Sequence, residues 1–186
     1  MVLKGGTNAN MAPQVDYTEH VLLPFLKFHL GLDLGLTIVK RGFYPKGGGE
    51  VHLRIPVLKE PLPAFELLER GDVKSIRGMV VTTSAVPQRA LNEMAASTRR
   101  YLKAAGFNAR QVDIDEVREP PQRGPGNGSM VFLWAETEGG CRLSGGALSS
   151  KGMTNDAVAK EAVDELVGNL ASGAPVDEWM QVCVYR

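Results

Sequence analysis

Arg41-Gly-Phe-Tyr-Pro-Lys-Gly-Gly-Gly-Glu-Val51 packs four glycines and a proline into eleven residues, and any fold of this chain has to accommodate it. Ordering three consecutive glycines costs more conformational entropy than ordering any other triplet, so a folded chain keeps them where geometry demands it. Pro45 stiffens the backbone just ahead, and residues 51–55 alternate apolar and polar like a half-buried strand. Two readings are open. Amides left unshielded by side chains can cradle a phosphate, with Lys46 and Arg41 supplying charge. Alternatively, the bend lies where another backbone passes too close for any Cβ. The spacing matches neither G-x-x-x-x-G-K-[ST] nor G-x-G-x-x-G ahead of a helix. Glycine turns also serve packing more often than anion binding.

Upstream lies a second distinctive run, Gly5-Gly-Thr-Asn-Ala-Asn-Met-Ala-Pro-Gln-Val-Asp-Tyr17. Together the two runs resemble the RNA 3'-terminal phosphate cyclases. The signature positions of that family are matched here by Arg41, Gly42, Pro45, Gly47, Gly48, Gly49 and Val51. The first run is similar to the family's block upstream of the signature, and the resemblance continues more weakly to about Gln181. It implies an α/β (α+β) fold of cyclase repeats resembling the C-terminal domain of the third bacterial translation initiation factor. A smaller, thioredoxin-like α/β domain is inserted into those repeats. On this basis residues 1–66 are expected to be part of the cyclase body, residues 67–172 the insert, and residues 173–186 the start of the last repeat.

Composition sets outer bounds. The chain has 186 residues, 44% of them hydrophobic, enough to bury a sizeable core. Its 21 basic and 21 acidic residues cancel, which excludes a nucleic-acid binder working by bulk charge. Two cysteines, Cys141 and Cys183, form no disulfide framework and no metal-ligand spacing with the three histidines. That usage suits a reducing intracellular compartment. No apolar run approaches the roughly 20 residues of a membrane span, and the first residues lack a secretory pattern.

Along the chain, Asp16-Tyr-Thr-Glu19 has the spacing of a capping box. Val21, Leu22, Phe25, Leu26 and Phe28 then form an apolar helix face that Gly31 terminates, with Pro24 expected to kink or split it. Residues 36–40 read as a strand leading into the glycine run. Pro56, Pro61, Pro63 and Gly71 punctuate a boundary. Beyond it the pattern reads as a strand at 75–83, an amphipathic helix at 87–105 and a strand at 111–119. A Pro/Gly loop at 120–128, a hairpin turning at Glu138-Gly-Gly140 and a helix at 155–171 complete it. This set suffices for an α/β unit. Residues 67–172 are expected to resist proteolysis, with frayed ends on either side.

The family resemblance also implies chemistry. Its members use ATP to turn an RNA 3'-phosphate into a 2',3'-cyclic phosphate. A histidine attacks ATP and carries AMP to the RNA phosphate, from which the 2'-hydroxyl displaces it. Such a reaction needs an unprotonated imidazole, Mg across the leaving pyrophosphate and cationic donors. His20, His29 and His52 lie outside the context of the family's nucleophile and read as surface or satisfied core residues. The expectation is a chain without a catalytic histidine or metal ligands, inactive in cyclisation as it stands. Pro13 matches a family position that touches the base or ribose of ATP. Trp179, Met180 and Gln181 resemble the aromatic-led run at the adenine end. Val182 and Cys183 replace the expected Asp-Gln, which weakens the hold on the nucleotide and reads as a shortened member. The implied partners are RNA 3' ends, not DNA or membrane, in the nucleoplasm of a eukaryote or otherwise the cytoplasm. Oligomeric state is not readable. The alternative is the family's non-catalytic, cyclase-like module of ribosome assembly, although Tyr44-Pro-Lys46 fits the cyclase form better. Arg99, Arg100, Lys103, Arg110, Arg118 and Arg123 interleave with Asp113, Asp115, Glu116 and Glu119, which favours a mixed solvated face over an RNA-facing patch.

Overall fold

The computed structural model describes residues 1–121 and 128–184, with residues 182–184 as backbone only. Two sheets organise these residues. A three-stranded antiparallel sheet has the order β1-β3-β2, from Val2–Gly5, Gly49–Arg54 and Gly35–Lys40. A four-stranded mixed sheet has the order β5-β4-β6-β7, from Val112–Arg118, Val73–Thr82, Ser129–Thr137 and Arg142–Leu148. In it β4 runs parallel to β5 and antiparallel to β6, and β6 and β7 form the expected hairpin. The architecture is mixed α and β, as the sequence implies.

The four-stranded sheet is covered on both faces, in keeping with the period-two geometry of its central strands. Val131, Leu133 and Ala135 of β6 point to one side, with Ile76 and Val80 of β4. There they meet α3 (Gln88–Ala104) and α4 (Asn155–Ala171) through Leu91, Met94, Leu102, Val158, Ala162 and Leu166. Met130, Phe132 and Trp134 point to the other side with Met79 and Val81. That face is closed by Tyr17, Val21 and Phe25 of the first helical segment and by Val176 and Met180 near α5 (Glu178–Val184). Thr154 caps α4, its side chain accepting from the Ala157 N–H.

The first helical segment differs from the capping-box expectation. It runs as α1 (Val15–Tyr17), a π-turn (Thr18–Leu22) and α2 (Leu23–Leu30), so Pro24 sits in the first turn of a new helix, where it needs no N–H partner. Gln14, not Asp16, occupies the N-cap, and no side chain caps the helix. Asp16 is fully buried and faces Arg41 instead. Gly31 ends α2 at φ 66° as expected. Phe28 leaves the apolar face and is 67% exposed. Tyr17, Val21 and Phe25 of this segment are buried, at 5%, 0% and 1% exposed. No described helix is long and apolar enough to cross a membrane.

Candidate functional site

The glycine bend takes the packing form of its two sequence readings. A Cβ at Gly42 would lie 2.3 Å from the Gly49 nitrogen and 2.7 Å from the Gly5 carbonyl oxygen. One at Gly49 would lie 2.6 Å from Thr7 Cγ2 and 2.8 Å from the Gly42 nitrogen. Gly47 and Gly48 have φ of 60° and 73°, where side chains are strained. Two of the bend's amides are consumed internally: Gly47 donates to the Phe43 carbonyl at 2.9 Å and Gly42 to Thr7 Oγ1 at 2.8 Å. Arg41 does not offer its charge to a phosphate. Its guanidinium is buried between Asp16 and Glu119, with ion pairs to both. Burial alone would push its pKa down, but Asp16 and Glu119 outweigh that and raise it. The network extends through Asn8, whose amide donates to Gln14 Oε1 at 2.9 Å and to Asp16 Oδ2 at 3.4 Å. Lys46 remains exposed.

Asn8 and Gln14 bracket the loop that bears Pro13. In this loop Met11 holds φ 62°, an unusual conformation for a residue with a side chain, and is 98% exposed. The loop forms one wall of a cavity of about 290 Å³, which Trp179 of α5 and Gly146 of β7 line from the other side. Pro13 and Trp179, distant in sequence, therefore come together. Met180 and Gln181 do not: Met180 is 1% exposed in the core, and Gln181 is exposed outside this cavity.

The cavity's geometry depends on residues that local spacing does not single out. Glu165 of α4 accepts from the Gly146 N–H at 2.7 Å and from Trp179 Nε1–H at 3.2 Å, which orients the indole. Burial raises the Glu165 pKa most strongly, while those two hydrogen bonds lower it. Asp177 accepts from the Met180 N–H at 3.0 Å, from Ser144 Oγ at 2.8 Å and from Tyr17 Oη at 2.6 Å. It thereby caps α5 and ties it to β7 and α1. Val-Asp-Glu-Trp ahead of a helix carries that N-cap signal in sequence. The partners 33 and 160 residues away have no local signature. Among the described residues, the cavity's charged lining is Glu161 and Glu165, with no lysine or arginine.

No imidazole lines this cavity. His20 stacks on Trp134 with centroids 4.4 Å apart and planes 4° from parallel, and burial lowers its pKa. Its Nε2 lies 3.7 Å from Glu19 Oε2 and finds no hydrogen-bond partner among the described residues, unlike a satisfied core histidine. His29 packs among Phe25, Phe28 and Phe65, its Nε2 likewise unpartnered. His52 sits on β3 at 2.9 Å from Glu50. Asp16, Glu19 and His20 gather ligand atoms within 4.8 Å, but both Asp16 oxygens already accept from Arg41. The basic residues of the insert are partly paired as expected, but Glu119, expected on the same solvated face, is buried against Arg41. Arg99 pairs with Glu116, Arg100 with Asp156, and Arg118 donates to the Ser84 carbonyl. Arg123 and residues 122–127 of its loop lie outside the described residues.

Comparison with known proteins gives a consistent result. The family description "RNA 3'-terminal phosphate cyclase (RTC), insert domain" matches residues 68–171. The RNA 3'-terminal phosphate cyclase of Ignicoccus hospitalis is 36% identical over 181 residues, covering 96% of this chain and 49% of that protein. The protein of the same name from Gloeothece citriformis is 37% identical over 183 residues, covering 97% and 49%. That from Drosophila melanogaster is 29% identical over 182 residues, covering 97% and 49%. The chain thus spans about half the length of the curated relatives it matches.

Proposed function

Because the chain belongs to the RNA 3'-terminal phosphate cyclase family, we propose that it supplies the base-holding side of an ATP site serving ATP-dependent cyclisation of RNA 3'-phosphates in RNA processing. The observation carrying this reading is the meeting of Pro13 and Trp179 on one cavity. An indole face with carboxylate, hydroxyl and amide groups around it suits a purine and ribose, which offer a π-face, amino protons and hydroxyls. The same lining suits a triphosphate poorly. Among the described residues it has no cation, and both Glu165 oxygens already accept hydrogen bonds, leaving no free carboxylate pair for Mg. The phosphates of a bound ATP would therefore point out of the cavity. ATP supplies the adenylyl group in the family's chemistry. This chain's residues hold and orient the nucleoside, and its three imidazoles, being elsewhere, do not accept AMP.

The test is calorimetric titration of the chain with ATP, paired with incubation with α-labelled ATP, Mg and a 3'-phosphorylated RNA. Saturable binding is expected, weakened about tenfold by Trp179→Ala through loss of base stacking, with no acid-labile label on the protein. Absence of ATP binding, or binding indifferent to both Trp179→Ala and Pro13→Ala, would reject the site. Labelled protein would reject the assignment of the histidines.

A further inference from the structure

The loop from Asn8 to Gln14 is pinned at both ends. The Val15 N–H donates to the Thr7 carbonyl at 3.0 Å, and the Asn8 amide donates to Gln14 Oε1 at 2.9 Å. The Asn8 carbonyl accepts from the Tyr44 N–H at 3.1 Å, which fastens the loop to the glycine bend as well. At the tip Met11 holds φ 62°, a left-handed conformation that a residue with a side chain keeps only where its surroundings impose it. The frame therefore presents one thioether to solvent, 98% exposed, on the wall of the cavity that Trp179 lines from the other side.

The other six of the chain's seven methionines are placed differently. Met79, Met94, Met130 and Met180 are buried. The sulfur of Met130 accepts from the Asn8 amide at 3.2 Å, and that of Met79 from Arg41 at 3.8 Å. Met153 is half-buried, its sulfur 3.7 Å from Ser150 Oγ. Met1 is exposed too, but does not line this cavity. An oxidant has to reach a sulfur lone pair, so packing protects the buried thioethers and leaves Met11 open to attack.

We infer that Met11 is a reversible redox-modification site on the cavity wall, oxidised to the sulfoxide by hydrogen peroxide or an organic hydroperoxide, and that this change loosens the cavity's hold on a nucleoside. In the step a sulfur lone pair attacks the terminal peroxide oxygen. An S–O bond forms and the O–O bond breaks. The sulfur gives up two electrons, and the departing hydroxide takes the remaining proton to leave as water, or an alkoxide likewise as an alcohol. A thioether is apolar and polarizable and packs well at the edge of an aromatic ring, whereas a sulfoxide is polar and holds water where a base would displace it. The lining also gains an acceptor beside Glu161 and Glu165. The effect on binding rests on the reading of this cavity as a base site; the place of oxidation does not.

The experiment treats the whole 186-residue chain with dilute hydrogen peroxide and follows tryptic peptides by mass. Residues 5–27 form one such peptide, in which Met11 is the only methionine. That peptide is expected to gain one oxygen well before those containing Met79, Met94, Met130 or Met180. The treated chain should bind ATP about threefold more weakly by calorimetry, through loss of one sulfur–aromatic contact. Methionine sulfoxide reductases for both epimers should restore the mass and the Kd together. Met11→Leu, in which Met1 can still be oxidised, should show the same Kd before and after peroxide. Oxidation of the buried methionines as early as Met11 overturns the inference. So does an oxidised Met11 that leaves the ATP Kd unchanged, or equal weakening in Met11→Leu. An untreated chain that binds no ATP rejects the base-site reading and the effect on binding with it, while the masses alone still decide whether Met11 is the reactive sulfur.

Discussion

Asp16 and Glu119 are 0% and 5% exposed, and one guanidinium, Arg41, is ion-paired with both. Removing it strands two buried charges, and breaking a buried pair typically costs about 3–5 kcal/mol. Arg41→Ala is therefore expected to lose at least that much in urea denaturation. Arg41→Lys should recover only part of it, because an ammonium cannot fork toward two carboxylates as a planar guanidinium does. An Arg41→Ala midpoint equal to that of the unaltered chain would refute the clamp. His20 makes a prediction about pH. Burial lowers its pKa, Arg142 and Arg41 reinforce this, and Asp16 and Asp115 oppose it. For a base with a depressed folded pKa, no penalty exists while both states are neutral, above the ordinary value of about 6.5. As pH falls through that value the unfolded chain takes up a proton that the folded chain refuses, and stability declines until the folded pKa is reached. His20→Phe keeps a ring against Trp134 and should remove this part of the decline, measured as urea midpoints at about pH 7.5 and 5.5. The part from His29, also depressed by burial, should remain.

At the scale of elements, the approach of α4 to β7 is set by a missing side chain. A Cβ on Gly145 would lie 2.3 Å from the Leu166 nitrogen and 2.4 Å from the Ala162 carbonyl oxygen, both helix backbone that cannot swing aside. Gly168, in α4 itself, has nothing within 4 Å of its virtual Cβ. Gly145→Ala should therefore lower the melting temperature markedly, while Gly168→Ala should raise stability by about 0.5–1 kcal/mol through helix propensity. Equal effects of the two would disprove the close approach. The contrast shows what a sequence carries. Helix α4 is legible because Val158, Ala162, Val163, Leu166 and Leu170 recur at helical spacing, and its observed bounds agree. Asp16 is misread as a cap because a capping box is judged within four residues, whereas its partner Arg41 lies 25 residues on and shares a second carboxylate from the far end of β5. The candidate site divides the same way. Pro13 and Trp179 stand out by resemblance to a family pattern. The hydrogen bond from Trp179 to Glu165, 14 residues away on another helix, has no local periodicity to announce it.

For the molecule as a whole, the open question is whether residues 1–54 and the four-stranded sheet are one folding unit. Residues 55–72 carry no helix or strand and expose Val57, Leu58, Leu62 and Leu68, so a protease should cut there first. The fate of the nicked chain depends on the second face of the sheet. Met79, Val81, Phe132 and Trp134 are covered by Val21, Phe25 and Tyr17, and burying each side chain of that size contributes about 1.5–3 kcal/mol. The Arg41–Glu119 ion pair and the Tyr17–Asp177 hydrogen bond join the same two parts. These contacts should hold the pieces together after cleavage. Trypsin acting near Lys59 is expected to give two fragments that elute together from a sizing column and separate only in denaturant. The larger fragment, once isolated, should expose the uncovered face, bind a hydrophobic dye and aggregate. If the larger fragment instead stays monomeric, dye-silent and folded after losing the first, the insert is self-sufficient and the two-faced packing of its sheet is incidental to stability.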